Sequence, residues 1–337
     1  MPRKLQPIEN KKEKKFVNLS CQPNSLEIDY TNNGWDKINI EETIFKLFKN
    51  AGISKEISDY SELNGGFFNK VILIETSSGK YVLKISPLWN KGGLARENFV
   101  YSNLQNKSHE LFKMARIYSY TPSNNAIVPN HEALIIEYIS GSKPMAADLD
   151  IRKFHKKISS FLSTIHSIPM KGYGWLNENF AGKKNSWQDF LIDIDNLNVT
   201  KNSNLLTEKE LTWLINKLVN KCNDDFNPVL LYGDLKPENI LIKNDDIYLI
   251  DFENCFSGHK YYDIGIGLFF IPKIQKYLNT YLKENEQKKI KKQIILYAMR
   301  HAISCLGHRI NIGNTNELNA AIERFFELKK LYESEKN

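Results

Sequence analysis

The stretch LLYGDLKPENILI at 230–242 sets two acids, a lysine and an asparagine between apolar runs that read as short buried strands. A charged hairpin, in which Asp and Asn merely make turns, is the plainer explanation. What surrounds the stretch decides against it. The next strand ends in YLIDFEN (248–254), so Asp251 joins Asp234 and Asn239 as a third oxygen donor. Moving a phosphoryl group needs such a set. One carboxylate orients the attacking hydroxyl and accepts its proton, while a carboxylate and a side-chain amide hold magnesium against nucleotide phosphates. The runs VLL, ILI and YLI would anchor these groups, and such a site must be held to a fraction of an ångström.

Reading towards the N-terminus adds the rest of a nucleotide site. Lys84 interrupts the strand-like YVLKIS (81–86), where an apolar residue would be favoured. From there it could reach phosphates, and Glu97 on the helix that follows could pair with it. Before them, LNGGFFNKVI (63–72) puts Gly65 and Gly66 in a turn between strands, where backbone N–H groups could approach phosphate. The segment IIEYISG (135–141) lies where the chain changes character, and backbone groups from Glu137 to Ile139 could meet an adenine edge. The order is Gly loop, strand lysine, helix glutamate, hinge, Asp-x4-Asn, then a strand-end Asp. That is the order of a kinase fold.

Secondary-structure patterning agrees. KVILIET (70–76) and YVLKIS flank the turn-forming SSGK, a helix is expected from about Leu94 to Leu104, and strands near 116–120 and 133–139. Beyond 140 helices dominate. Ile151, Phe154, Ile158, Phe161 and Ile165 form one apolar stripe, Thr207 and Glu210 a capping box, and 286–306 and 316–331 read as amphipathic helices. The expected fold is α+β and bilobal, with a small antiparallel-sheet lobe and a larger, mainly helical lobe. Residues 1–40 are expected as a partly flexible extension, 41–138 as the nucleotide-binding lobe, and 139–337 as the lobe with the catalytic loop and acceptor site. Two lobes leave a cleft for ligands.

Composition bounds the remaining classes. The 337 residues are 42% hydrophobic, enough for a substantial core. Of the net charge of +7, +4 falls in residues 1–15, which hold six Lys/Arg and two Glu. Such a tail is read as a solvated terminus, so no nucleic acid or membrane partner is expected. Cys21, Cys222, Cys255 and Cys305 form no CxxC pair, which argues against a zinc ribbon or disulfide scaffold. The N-terminal stretch lacks the apolar core of a signal peptide, and no apolar run is long enough to span a bilayer. A cytoplasmic protein, monomeric or weakly dimeric, is expected.

In GGFFNKV (65–71), Lys84, ARE (95–97), YGDLKPENIL (232–241), LIDFE (249–253) and GHKYYDIG (258–265), the chain resembles the aminoglycoside phosphotransferase family, a branch of the protein-kinase-like fold. The resemblance implies Asp234 as catalytic base and Asn239 and Asp251 as Mg²⁺ ligands. It implies Lys84 as the phosphate contact with Glu97 as its partner; Gly65, Gly66, Asn69, Glu137 and Ile139 are the further expected nucleotide contacts. Asp263 is implied as a structural acid that holds the catalytic loop. Tyr232 departs from the family's usual histidine. DLKPEN is closer to protein-kinase wording, which makes Lys236 a transition-state contact or else a solvated loop lysine. The cofactors implied are ATP, with GTP as the alternative, and Mg²⁺.

Only eleven residues separate Asp251 from Asp263, and no Ala-Pro-Glu follows, which leaves too little chain for a peptide platform. The expected acceptor is therefore a small-molecule hydroxyl, foremost that of an aminoglycoside or related antibiotic, as in a resistance kinase. Asp189, Asp193 and Glu253 are its candidate contacts, although acids on one helix face are more often simply solvated. Trp175, Trp187, Tyr261 and Tyr262 read as packing, with stacking on a sugar as the functional alternative. A metabolic kinase of choline, homoserine, methylthioribose or sugar type is the first alternative, and a non-catalytic nucleotide-binding pseudokinase the second.

Overall fold

The computed structural model describes residues 39–335 apart from 54–55, 64–68, 89, 106–111, 145–151, 194–204, 223–224, 272–283 and 312–314. Its N-terminal part is a five-stranded antiparallel sheet in the order β1-β2-β3-β5-β4. The strands are β1 (Ile57–Glu62), β2 (Lys70–Thr76), β3 (Gly79–Ile85), β4 (Ile117–Thr121) and β5 (Ala133–Glu137). Alternation gives the sheet two apolar faces. Ile72, Ile74, Leu83, Ile85 and Ile135 pack with Ile44, Leu47 and Phe48 of helix α1 (Ile40–Asn50). Val82, Leu134 and Ile136 face the other way, towards Leu94, Val100 and Leu104 of helix α2 (Gly93–Leu104). Lys84, two positions after Val82, shares that second face, and this aims it at α2. Helix α1, capped by the Asn39 side chain on Glu42 N–H, was not anticipated from the sequence.

The C-terminal part is mainly helical, with α3 (Arg152–Ile165), α4 (Trp187–Ile192), α5 (Glu208–Lys221), α6 (Tyr261–Phe270), α7 (Glu284–Asn311) and α8 (Thr315–Ser334). The expected capping box opens α5, with Thr207 and Glu210 bonded in both directions. Helix α7 corrects an expectation. Residues from Ile294 to Met299 are all buried, so its middle is enclosed on every side instead of amphipathic. The cause is its place between α6 and α8. Among the described residues no helix is long and apolar enough to cross a membrane.

Two small sheets position the loops of interest. Strands β6 (Tyr173–Leu176), β7 (Gly182–Lys184), β8 (Val229–Leu231) and β11 (Phe256–Gly258) form one sheet, in which β11 lies between β6 and β8. Leu231 on β8 pairs with Phe256 on β11, so the loop after the first strand and the loop before the second emerge side by side. The other sheet is the hairpin of β9 (Ile240–Lys243) and β10 (Asp246–Leu249). Asn244 and Asp245 both take positive φ (50° and 67°) at its tip, as a two-residue hairpin turn with the right twist requires. Its open end pairs Ile240 with Leu249, and Ile250 N–H donates to Asn239 O at 3.1 Å. The hairpin register thus sets Asn239 beside Asp251.

Candidate active site

Asp234 follows β8, in a loop held from behind by Asp263. The Asp263 carboxylate is wholly buried and accepts from the backbone N–H groups of Tyr232 and Gly233, each at 2.8 Å. His166 Nε2 lies 2.8 Å from the same carboxylate. Gly233 has φ +81°, and a Cβ there would fall 2.0 Å from Asn254 O, so only glycine allows the close approach. Tyr232 is buried in an aromatic cluster with Phe161 and Phe252, and its Oη donates to Ile250 O at 2.5 Å. Where the related pattern has histidine, this tyrosine ties the loop directly to the strand end before Asp251.

Asp234 itself is buried at 6% exposure. Its Oδ2 accepts from Lys236 Nζ at 2.7 Å, Asn239 Nδ2 at 2.9 Å and Asn254 Nδ2 at 3.2 Å. Burial raises its pKa above the ordinary aspartate value, and the Lys236 ammonium works against that rise. Asn239 also donates to the Asp234 carbonyl at 3.1 Å. With both amide hydrogens turned to Asp234, its side-chain oxygen is left for another partner. Asn254 joins this cluster without having been picked out from the sequence, because one asparagine in a loop carries no distinguishing pattern.

Asp251, at φ +65°, turns its carboxylate towards the small lobe. Lys84 Nζ reaches Asp251 Oδ1 at 3.1 Å and Glu97 at 3.0 and 2.8 Å. Burial opposes the Lys84 ammonium, but Asp251, Glu97 and Glu253 outweigh it and hold its pKa well above normal. Burial likewise opposes the Asp251 carboxylate, and Lys84 and Lys236 prevail and hold it below its usual value. The sequence-predicted residues therefore form two adjoining hydrogen-bonded sets, Asp234 with Asn239 and Lys84 with Glu97 and Asp251, joined through the Ile250 N–H bond to Asn239 O. Hard oxygens at Asn239 and Asp251 beside a fixed ammonium suit a divalent cation with polyphosphate. Among the described residues no three His, Cys, Asp or Glu gather as a metal site on their own.

Of the other expected nucleotide contacts, Gly65 and Gly66 lie outside the described residues. Asn69 is buried immediately before β2. Glu137 ends β5, and its carboxylate accepts from Arg116 N–H at 3.1 Å. Ile139 is buried, its carbonyl accepting from Gly141 N–H at 2.8 Å. Ser142 then pairs with Ile242 on β9, which docks the connecting segment on the β9–β10 hairpin.

The three expected acceptor contacts do not gather. Asp189 sits in the first turn of α4, and Asp193 caps its end and pairs with Lys184 at 2.6 Å. They border an open depression of about 340 Å³ shared with Lys183, Asn185 and Ile192, and none of their hydrogen bonds or ion pairs among the described residues reaches Asp234. Glu253 lies elsewhere. It is buried at 5% exposure and accepts from the small-lobe amides of Asn69 and Asn90. Burial, with the nearby Asp251 charge, pushes its pKa up to about 7. Trp187, Tyr261 and Tyr262 are buried in aromatic packing, and Trp187 Nε1 donates to Tyr297 Oη.

One face of α7 also borders this region. His301, Ser304, Cys305 and His308 are half-buried there, and Cys305 Sγ lies 3.4 Å from His301 Nε2. Burial pushes the Cys305 thiol up to about 12, and the charges of Asp234 and Lys236 act on it as well. Burial and Lys236 lower the His301 pKa to about 3, so the ring is neutral. In the sequence this face looked like one side of an ordinary helix.

The model of the phosphotransferase enzyme family matches residues 59–289. No curated protein matches the chain in sequence. Among solved structures, the chain is similar to a thermostable mutant of aminoglycoside phosphotransferase APH(4)-Ia in ternary complex with ADP and hygromycin B. The TM-score is 0.62 at 15% identity, over 84% of this chain and 96% of that one. It is similar to the GDP and kanamycin complex of APH(2")-IIia, with a TM-score of 0.63 at 13% identity, over 85% and 98%. A putative fructosamine-3-kinase from Haemophilus somnus 129PT gives 0.58 at 16% identity, over 88% and 99%. At these identities the shared feature is the bilobal fold.

Proposed function

The chain belongs to the phosphotransferase enzyme family, and on that footing we propose that it transfers the γ-phosphate of ATP, with Mg²⁺, to a hydroxyl of a small molecule. This reading is carried by the bonded pairs Asp234–Asn239 and Asp251–Lys84, which the β9–β10 hairpin sets side by side. The side-chain hydrogen bonds of Asp234 among the described residues fall on Oδ2. Oδ1 is then the oxygen that takes the acceptor's proton. Lys84, aimed by Glu97, contacts the nucleotide phosphates, while Asn239 and Asp251 present oxygens to Mg²⁺, which when bound neutralises phosphate charge. Lys236 leaves Asp234 to meet the transferred group. Positioning and charge neutralisation supply most of the rate, with Asp234 only modestly basic.

As acceptor we propose an aminoglycoside or related antibiotic, supported by the hygromycin B and kanamycin held in similar structures. A metabolic sugar-type acceptor is the second reading. It is favoured by the similarity to a putative fructosamine-3-kinase and by Asp193, whose charge is already met by Lys184. A panel assay of ATP consumption against antibiotics and against metabolic alcohols and sugars separates them. A response to antibiotics supports the first reading, a response to metabolites alone the second, and no response to any acceptor contradicts both. GTP in place of ATP tests the nucleotide, since one similar structure holds GDP.

A further inference from the structure

We propose that Glu253 is a positioning residue for nucleotide binding, latching the small lobe to the strand end that carries Asp251. This rests on the nucleotide site proposed above. Oε2 of Glu253 accepts from Asn69 Nδ2 at 2.8 Å and from Asn90 Nδ2 at 3.2 Å. Asn90 Nδ2 also donates to Asn69 Oδ1 at 3.2 Å, which closes a three-residue network. The main-chain carbonyl of Glu253 accepts from Arg96 Nε at 2.8 Å.

Every donor belongs to a segment that aims the nucleotide-facing charges. Asn69 directly precedes β2, whose Val71 is the register partner of Lys84. Asn90 leads into α2, and Arg96 on α2 adjoins Glu97. Three small-lobe attachments thus converge on one residue two positions after Asp251. The distance from Lys84 to Asp251 is then fixed from both sides. Burial of Glu253 and Asn69 excludes a solvated surface role for the contact. A buried carboxylate that loses its donors, or donors that lose it, pays a desolvation cost that ties the two lobes together.

The test is calorimetric titration of ADP and Mg²⁺ into the full chain, as wild type, Glu253→Ala, Glu253→Gln, Asn69→Ala and the Glu253→Ala/Asn69→Ala pair, with melting temperature monitored. Glu253→Ala is expected to weaken ADP binding about tenfold, as when buried amide donors lose a charged acceptor. Glu253→Gln keeps an oxygen that both amides can reach, and is expected to recover most of that loss. The double variant is expected to bind no more weakly than the worse single one, because both changes break the same contact. Unchanged ADP binding by Glu253→Ala, a Gln variant as damaged as Ala, or additive losses would each overturn the latch. A wild-type chain that does not bind ADP overturns the nucleotide reading itself. Should Glu253→Ala fail to fold, the Gln and Asn69 variants alone decide: Asn69→Ala binding like wild type overturns the proposal.

Discussion

Lys84 Nζ stands 3.1 Å from Asp251 Oδ1, so an ammonium of the small lobe meets a carboxylate at the end of a large-lobe hairpin. The same ammonium is bonded to both oxygens of Glu97, which is wholly buried. Replacing Lys84 by Met would strand two carboxylates, and breaking a buried pair in this way costs about 3–5 kcal/mol. Burial already raises the Glu97 pKa. Glu97 can therefore take a proton in the variant, and the loss should be smaller near about pH 5 than near about pH 8. Urea unfolding of wild type and Lys84→Met at both pH values checks this; an equal loss at both contradicts it.

Gly233→Ala puts a methyl 2.0 Å from the Asn254 carbonyl at φ +81°. The loop must move, and displacement of about 1 Å at a reacting group can cost about a hundredfold in rate. Turnover is expected to fall at least that far. Gly52→Ala serves as the control, since φ is also positive (+68°) but nothing lies within 4 Å. It should cost about 1 kcal/mol of backbone strain and leave turnover as it was.

Tyr232→Phe keeps the aromatic packing and removes only the donor to Ile250 O. The expected loss is about 1 kcal/mol of stability, the usual effect of leaving a part-buried acceptor unmet. Equilibrium unfolding measures it. A loss within error would show that the tyrosine holds the loop by its ring alone.

The raised pKa of Glu253, about 7, has a definite sign in stability. Unfolded, the group titrates near its ordinary value of 4.5. Between those two values the folded chain binds more protons than the unfolded one, so this contribution to stability is lost as pH rises. Glu97 and Asp251 add to the rise, and Lys84 opposes it. Without ligands, wild type should lose melting temperature relative to Glu253→Gln as pH rises from about 5 to about 7.5. Parallel pH profiles would contradict the assignment.

Much of the site was legible because its chemistry is written in short spans. Asp234 and Asn239 sit in one loop, and Asp251 follows one hairpin later, so local register alone brings them together. Lys84 and Glu97 could be paired because an interior strand lysine needs a buried partner. The small-lobe bonds of Glu253, read from the sequence as an acceptor contact, were hidden for the opposite reason. Its partners Asn69 and Asn90 lie 184 and 163 residues away, and an asparagine carries no sign of what it will bond. The α7 face with His301 and Cys305 was hidden similarly, since only tertiary packing sets it beside Lys236. Helix α1 was missed because its apolar stripe, Ile44, Leu47 and Phe48, is short and follows an uninformative charged tail.

The central claim is that Asp234 serves as the base of a phosphoryl transfer whose nucleotide is held by other residues. Asp234→Asn tests it most directly, with transfer rate to the acceptor found in the panel and ADP affinity measured on the same preparation. The rate is expected to fall by about 10²–10⁴-fold, the usual worth of a general base, with ADP affinity changed less than about threefold. A variant that transfers phosphate at the wild-type rate would contradict it.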